Sequence, residues 1–422
     1  MDSVKVKFLQ LDQTDTLAKF RPEFFIPKNN LGDNTIYYCG NSLGLLSARA
    51  EKGVIQELED WKKYGVEGHL QAENPWVHYH EFLNESMAEI VGALPSEVVM
   101  MNGLTSNLHF MMVSFYRPTK IRNKILIEYS AFPSDRYAVE SQIRFHGFDP
   151  KDCLIILEPE LGEDYISKEN IAKVFEIHGE SIALALIGSV NYYTGQAYPI
   201  HFITKIAHRY GAQVGFDLAH GAGNLLLHLH DDGPDFAVWC GYKYLNGGPG
   251  CIAGCFVHER HHDRPDLPRF SGWWAHDKKS RFKMSSKFEL MKGAEGWQLS
   301  NPPILAMASM KQSLSIFHEA GMQNLRKKSI HMNSLLTSLL VEWDHPSISV
   351  ITPQNIDENG CQLSIRLRQP DKSIFVALTN QGVIADWREP DVIRIAPVPL
   401  YNNFEELITF FNKFKQIVEN YG

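Results

Sequence analysis

Residues 182–220 read IALALIGSVNYYTGQAYPIHFITKIAHRYGAQVGFDLAH, and this stretch decides the fold. Ile182–Ile187 is a short, wholly apolar run, the pattern of a strand buried on both faces. Pro199–Tyr210 repeats its apolar side chains at helical spacing and stops at Gly211, a residue suited to the C′ position. Ala212–Phe216 is apolar and strand-like again. Strand, helix and strand at this spacing form a right-handed crossover, the unit of a parallel sheet. Upstream, Lys124–Glu128 and Cys153–Leu157 read as two more buried strands. Asp135–His146 and Lys168–His178 read as helices, the latter opened by Ser167 as N-cap and closed at Gly179. The expectation is an α/β fold with a mainly parallel sheet flanked by helices.

Beyond Asn301-Pro302-Pro303 the texture changes. Helical patterns over Ile304–Glu319 and Met322–Glu342 are followed by strand-like Gln362–Leu367, a helix over Lys372–Gln381, a strand over Val392–Ala396 and a last helix from Phe404. These segments predict a smaller α+β domain. The expected division is residues 1–50 as a segment packing on the domains, 51–305 as the large α/β domain, and 306–422 as the small C-terminal domain.

The chain has 422 residues, 44 % apolar, with 41 Lys and Arg against 49 Asp and Glu for a net charge of −8. A mildly acidic chain with no basic block argues against nucleic acid as a partner. The longest apolar run falls far short of the ~20 residues that span a bilayer, and no basic amphipathic face offers a membrane anchor. The first seven residues mix charges, with no apolar core of a secretory signal. Cys39, Cys153, Cys240, Cys251, Cys255 and Cys361 are scattered, mostly in apolar runs, as reduced buried thiols would be. A cytoplasmic location is the expectation.

Ligands of open α/β sheets sit at the carboxyl ends of the strands. Four such ends carry suggestive side chains. Val214–Phe216 runs into Asp217, with His220 three residues on; Asp217 alone would also serve as an ordinary turn cap. Phe236–Cys240 runs into Gly241-Tyr242-Lys243-Tyr244-Leu245-Asn246 and a glycine-rich turn. A lysine there is costly to bury unless paired or covalently used, and desolvation lowers its pKa as a Schiff-base lysine requires. An acid and a lysine at adjacent strand ends suit pyridoxal 5'-phosphate: the lysine holds the aldehyde and the carboxylate pairs with the ring nitrogen. Asn102-Gly-Leu-Thr-Ser-Asn107 opens a helix and offers either an anion cradle or a plain cap. Phe132-Pro133-Ser134-Asp135 follows the strand Lys124–Glu128 with an aromatic face and a carboxylate, or is simply a turn before a helix.

Taken with Gly40-Asn-Ser-Leu-Gly44, Asn191-Tyr-Tyr-Thr-Gly-Gln196, Gly272-Trp273, Arg281-Phe-Lys-Met284, Ser300-Asn-Pro-Pro-Ile-Leu305 and Ile393-Arg-Ile-Ala-Pro-Val-Pro-Leu-Tyr-Asn402, these segments resemble the kynureninases, PLP enzymes of the fold type I (aspartate aminotransferase) superfamily. The most specific are Phe216-Asp-Leu-Ala-His220 with Tyr242-Lys-Tyr-Leu-Asn246. The resemblance implies hydrolysis of the Cβ–Cγ bond of L-kynurenine or 3-hydroxy-L-kynurenine to (3-hydroxy)anthranilate and L-alanine, within tryptophan catabolism and pyridine nucleotide biosynthesis. It implies Lys243 and Tyr242 as catalytic residues. It further implies Leu104, Thr105, Phe132, Pro133, Ser134, Asp135, Asp217, His220, Trp273 and Asn301 around the cofactor, the last two from the second subunit of a homodimer. Arg394 would hold the substrate α-carboxylate, and Ser42, His69 and Asn301 the aryl end. The chain departs from the pattern at Gly188, where some relatives offer a serine.

Other readings are an aminotransferase or desulfurase-like lyase on the same scaffold, a non-catalytic binding protein, or a metal-binding protein. A desulfurase needs a mobile reactive cysteine, whereas Cys251 and Cys255 lie in what reads as a buried strand. His258-x-x-His261-His262 and His228-x-His230 lack structural-zinc spacing with cysteines, so no metal site is expected.

Overall fold

The computed structural model describes residues 2–284 and 286–421. Its centre is a seven-stranded sheet in the spatial order Val98–Met100, Gly254–Val257, Phe236–Trp239, Gln213–Asp217, Ile182–Gly188, Lys124–Glu128, Leu154–Leu157. Six strands point the same way and Gly254–Val257 runs against them. That strand is shorter than the sequence suggests, since Cys251 lies in the loop before it.

Side chains on successive strand residues go to opposite faces, and the two sides of the sheet carry separate cores. Ile125, Ile127, Leu184 and Leu186 meet the helices Leu104–Phe115 and Pro133–Phe145 through Leu108, Met111, Phe115, Val139 and Ile143. Leu126, Ala185, Ile187, Val214 and Phe216 face the other way, onto Ile171 and Phe175 of the helix Lys168–His178 and Ile203 and Ala207 of Ile200–Arg209. Both cores are built of apolar side chains, and the polar groups of interest stand at the strand ends.

The small domain has a four-stranded antiparallel sheet ordered Asp386–Arg388, Val392–Ile395, Leu363–Leu367, Ile348–Val350. The helices Met322–Trp343, Lys372–Asn380 and Phe404–Tyr421 cover it. The cores divide the chain differently from the expected boundary at 305/306. The helix Ile304–Ala320 does not open the small domain: Met307, Met310, Leu314 and Phe317 belong to the large-domain core. The change of core falls inside the helix Met322–Trp343, where Leu325 packs on the large side and Met332, Leu336 and Leu340 on the small. The first fifty residues, for their part, divide between the cores. Leu17, Phe20 and Phe24 join the large one. Phe8, Ile36 and Tyr38 join the small one, and Ile36–Tyr37 pairs in parallel with Val383–Ile384. A helix over Asp2–Gln13, absent from the sequence reading, places Asp12 so that its carboxylate accepts from the free N–H groups of Phe404 (2.7 Å) and Glu405 (2.9 Å), capping the last helix.

Candidate active site

The parallel register brings Glu128, Gly188 and Asp217 to one edge of the sheet, with Gly188 paired to Asp217. Asp217 ends its strand with a buried side chain, and its Oδ1 accepts from the Ala219 N–H at 2.6 Å. Lys243 stands in the turn after Phe236–Trp239. The amino-terminal segment clamps that turn: the Gly44 N–H donates to the Tyr242 carbonyl at 2.8 Å, and a Cβ on Gly44 would lie 2.4 Å from the Lys243 carbonyl. Only glycine allows so close an approach.

Lys243 is half-buried rather than dry, and its Nζ lies 3.0 Å from Nε2 of His220. The same nitrogen sits 5.7 Å from the centre of the Phe132 ring. Burial pushes the His220 pKa well below the usual imidazole value, and Lys243 adds to this, so the ring is neutral. A neutral imidazole accepting on Nε2 carries its hydrogen on Nδ1, and Nδ1 is buried with no partner in the protein.

Asp135 lies in the first turn of the helix Pro133–Phe145, buried, with Oδ1 also unpartnered. Asp135 and Asp217 share a side-chain hydrogen bond. Desolvation raises both pKa values; the charge of Asp217 lifts that of Asp135 further, while Lys243 pulls both back. Glu128 is a third buried carboxyl on the same cavity, raised to about 7 chiefly by desolvation, with Asp217 adding to it. It accepts from the Gly188 N–H at 3.1 Å. A Cβ on residue 188 would stand 2.8 Å from its Oε1, so the glycine leaves room for this carboxyl. Glu128 was missed in the sequence, although a lone acid closing an apolar strand was a visible signal.

Leu104, Thr105, Glu128, Phe132, Ser134, Asp135, Gly188, Tyr192, Asp217, His220, Tyr242 and Lys243 thus line one cavity. The helix Leu104–Phe115 begins at Gly103 with no side-chain cap, and Thr105 Oγ1 and Ser134 Oγ lie 3.2 Å apart. Free N–H groups with two hydroxyls suit a phosphate. The acid pair calls for a cationic hydrogen-bond donor, such as a protonated pyridine nitrogen. The same cavity holds a lysine, an aromatic side chain and an unpartnered imidazole N–H. This donor set fits pyridoxal phosphate. Pro133 occupies the first turn of its helix and is not part of the lining.

Arg394 lies in the strand Val392–Ile395 with only 1 % of its surface exposed. Its Nη1 donates to the carbonyl of Tyr192, a cavity residue, at 2.6 Å, and its Nη2 donates to Ser42 Oγ at 3.3 Å and to Asp386. Ser42, expected at the aryl end of the substrate, thus stands beside the arginine. Trp273, Asn301 and His69 lie outside this cavity. Trp273 is 46 % exposed, with Nε1 donating to the Arg281 carbonyl at 3.3 Å. Asn301 borders a second cavity with His80, Met100 and Asn102. His69 packs edge-on to Trp76, ring centres 5.4 Å apart, with Nδ1 2.9 Å from the Val66 carbonyl.

Every cysteine is free, and burial pushes each thiol up: Cys39, Cys251 and Cys361 to about 12, with Cys153, Cys240 and Cys255 also raised. None is poised as the thiolate a desulfurase uses. The histidine clusters are engaged by carboxylates: His261 and His208 hold Asp235 at 2.8 and 3.0 Å, and His230 lies 3.1 Å from the buried Glu97.

A profile of the kynureninase C-terminal domain matches residues 325–414. Kynureninase of Myxococcus xanthus (strain DK1622) is 52 % identical over 401 residues, covering 95 % of this chain and 94 % of the relative. That of Koribacter versatilis (strain Ellin345) is 51 % identical, covering 96 % of each chain. Among solved structures, the apo cysteine desulfurase of Thermococcus onnurineus NA1 superposes with a TM-score of 0.77 at 17 % identity, over 96 % of this chain and 98 % of that one. A mutant of the lyase C-DES with glycine covalently linked to its PLP cofactor gives 0.75 at 16 % identity, over 90 % and 96 %. At such identities the likeness concerns the fold.

Proposed function

The chain belongs to the kynureninase family, PLP-dependent hydrolases that cleave L-kynurenine, and from that premise we propose how its residues divide the work. Its fold is PLP fold type I and its substrate a small molecule. When bound, the cofactor supplies an electron sink that stabilises the carbanion formed at the substrate α-carbon.

Leu104, Thr105 and Ser134 hold the phosphate through the helix N-terminus and two hydroxyls. Phe132 offers its face to the ring, with Pro133 fixing the start of its helix. Asp217, backed by Asp135, keeps a proton on the ring nitrogen. Lys243 would hold the cofactor through its amine, and the same amine is placed to take the substrate α-proton. His220 accepts a hydrogen bond from that amine and orients it. Tyr242, whose phenol burial raises above its usual pKa, stays protonated and donates during cleavage. Arg394 grips the α-carboxylate with its planar fork, and Ser42 joins it at that end.

His69 and Asn301 are assigned to the aryl end, and Trp273 and Asn301 to a second subunit. Their position outside their own protomer's cavity supports a homodimer that completes the site. A histidine and an asparagine can meet a phenolic hydroxyl, so 3-hydroxykynurenine is the preferred substrate; equal or reversed kcat/KM values for the two substrates discard that preference. Among the described residues no helix is long and apolar enough to cross a membrane.

The observation that carries the assignment is Lys243 Nζ within 3.0 Å of a buried neutral imidazole, on the same cavity as the acid pair. Absorbance spectra of purified enzyme before and after borohydride test it. Lys243→Ala loses the reducible band and the release of anthranilate; a variant that kept both would overturn the assignment.

A further inference from the structure

Asp386 and Arg388 share the short strand Asp386–Arg388, which pairs antiparallel with the strand carrying Arg394, so that Asp386 and Arg394 lie directly opposite. Three donors converge on a single oxygen, Asp386 Oδ2. They are Ser42 Oγ, Arg394 Nη2, and Arg388 Nη2 at 2.8 Å. Both guanidinium carbons stand 5.9 Å from the centre of the Tyr192 ring. That ring meets Phe132 edge-on, with centres 5.3 Å apart. The Nε atoms of both arginines are buried and make no hydrogen bond.

The charge count matters more than any one contact. Arg394 with Asp386 alone would be a neutral pair, satisfied by itself, and a substrate carboxylate would have to compete with Asp386 for the fork. Arg388 makes the group two cations to one anion. The surplus positive charge sits in a mostly buried patch, where it is worth far more than in water. One further carboxylate balances it.

We propose that Asp386 and Arg388 are positioning residues of the substrate carboxylate site: Asp386 fixes the guanidinium of Arg394, and Arg388 draws on Asp386 so that Arg394 is left able to receive an incoming carboxylate. The proposal rests on the assignment of Arg394 to the α-carboxylate. It adds a selectivity device, since a ligand with the amine and aryl ketone but no carboxylate gains nothing from the surplus charge.

The test compares two competitive inhibitors of the holoenzyme. One is an amino acid shaped like the substrate; the other is the same amine without its carboxylate. Arg388→Gln weakens the first by about tenfold to a hundredfold, the scale of one positive charge removed from a partly buried site, and leaves the second within about twofold. KM rises in step while kcat changes little, because the interaction is uniform between ground and transition states. Asp386→Asn combined with Arg388→Gln restores one cation and recovers part of the lost affinity, so the two changes are not additive. Arg388→Lys keeps the charge and retains the selectivity, which serves if the glutamine variant does not fold; an unchanged cofactor absorbance band confirms that each protein is intact.

Equal weakening of both inhibitors by Arg388→Gln, or a fall confined to kcat, overturns the proposal. Arg394→Gln is the control for its premise. If it fails to discriminate between the inhibitors, the carboxylate assignment itself is wrong. If it discriminates and Arg388→Gln does not, only the role of Arg388 and Asp386 fails.

Discussion

Glu128→Gln isolates the electrostatics of the cavity floor. Glu128 is fully enclosed, and burial lifts its pKa from an ordinary 4.5 to about 7. The folded state therefore prefers the neutral acid. The resulting stability is fully present below pH 4.5, is lost as pH rises toward 7, and stays lost above that. The gap between the two values corresponds to about 3 kcal/mol. Glutamine keeps the shape and can still accept from the Gly188 N–H, but it does not titrate. The variant should thus gain on the wild type by about 3 kcal/mol between pH 4.5 and pH 8. With roughly 2 cal/mol/K of unfolding entropy per residue, a chain this long turns that into about 4 °C of thermal midpoint. Paired melts of the cofactor-free proteins, stepped through pH 5, 6, 7 and 8, provide the reading, since bound cofactor would add its own stabilisation to each. A difference that stays flat with pH, or one in which the wild type gains as pH rises, refutes the claim that this carboxyl is held neutral by burial.

Three further outcomes follow from the geometry. Gly44→Ala puts a methyl 2.3 Å from Asn246 Oδ1 and 2.4 Å from the Lys243 carbonyl, so the lysine turn must move; cofactor absorbance after dialysis should fall, with a loss of about 1–3 kcal/mol of stability. Gly215→Ala drives its methyl to within 2.0 Å of the Phe236 ring between adjacent central strands and should cost a similar amount, seen as a lowered thermal midpoint with the cofactor site intact. Iodoacetamide at neutral pH should leave anthranilate release unaffected, because all six thiols are buried or half-buried with raised pKa values; inactivation tracking the label on one cysteine would contradict this.

What the sequence determined by itself was local, although the helix Asp2–Gln13 escaped it. The period of the apolar pattern set the helix Lys168–His178 at its observed ends and the strand Lys124–Glu128 likewise. Because a parallel sheet gathers its strand ends on one edge, Asp217, Lys243, Asp135 and Thr105 could be grouped before any coordinate was known. The tertiary structure decided what depends on pairing across long separations. Strand order put Gly254–Val257 antiparallel at the sheet's flank, and packing gave Ile304–Ala320 to the large core. Register across the small sheet set Asp386 opposite Arg394, and the fold carried Ser42 from more than three hundred residues away onto the same carboxylate. Glu128 belongs with these, since its pKa reflects the burial that other strands and helices impose on it and, after that, the charge of Asp217. A residue's conformational preference is written in its neighbours along the chain, whereas its charge state depends on neighbours that only folding supplies.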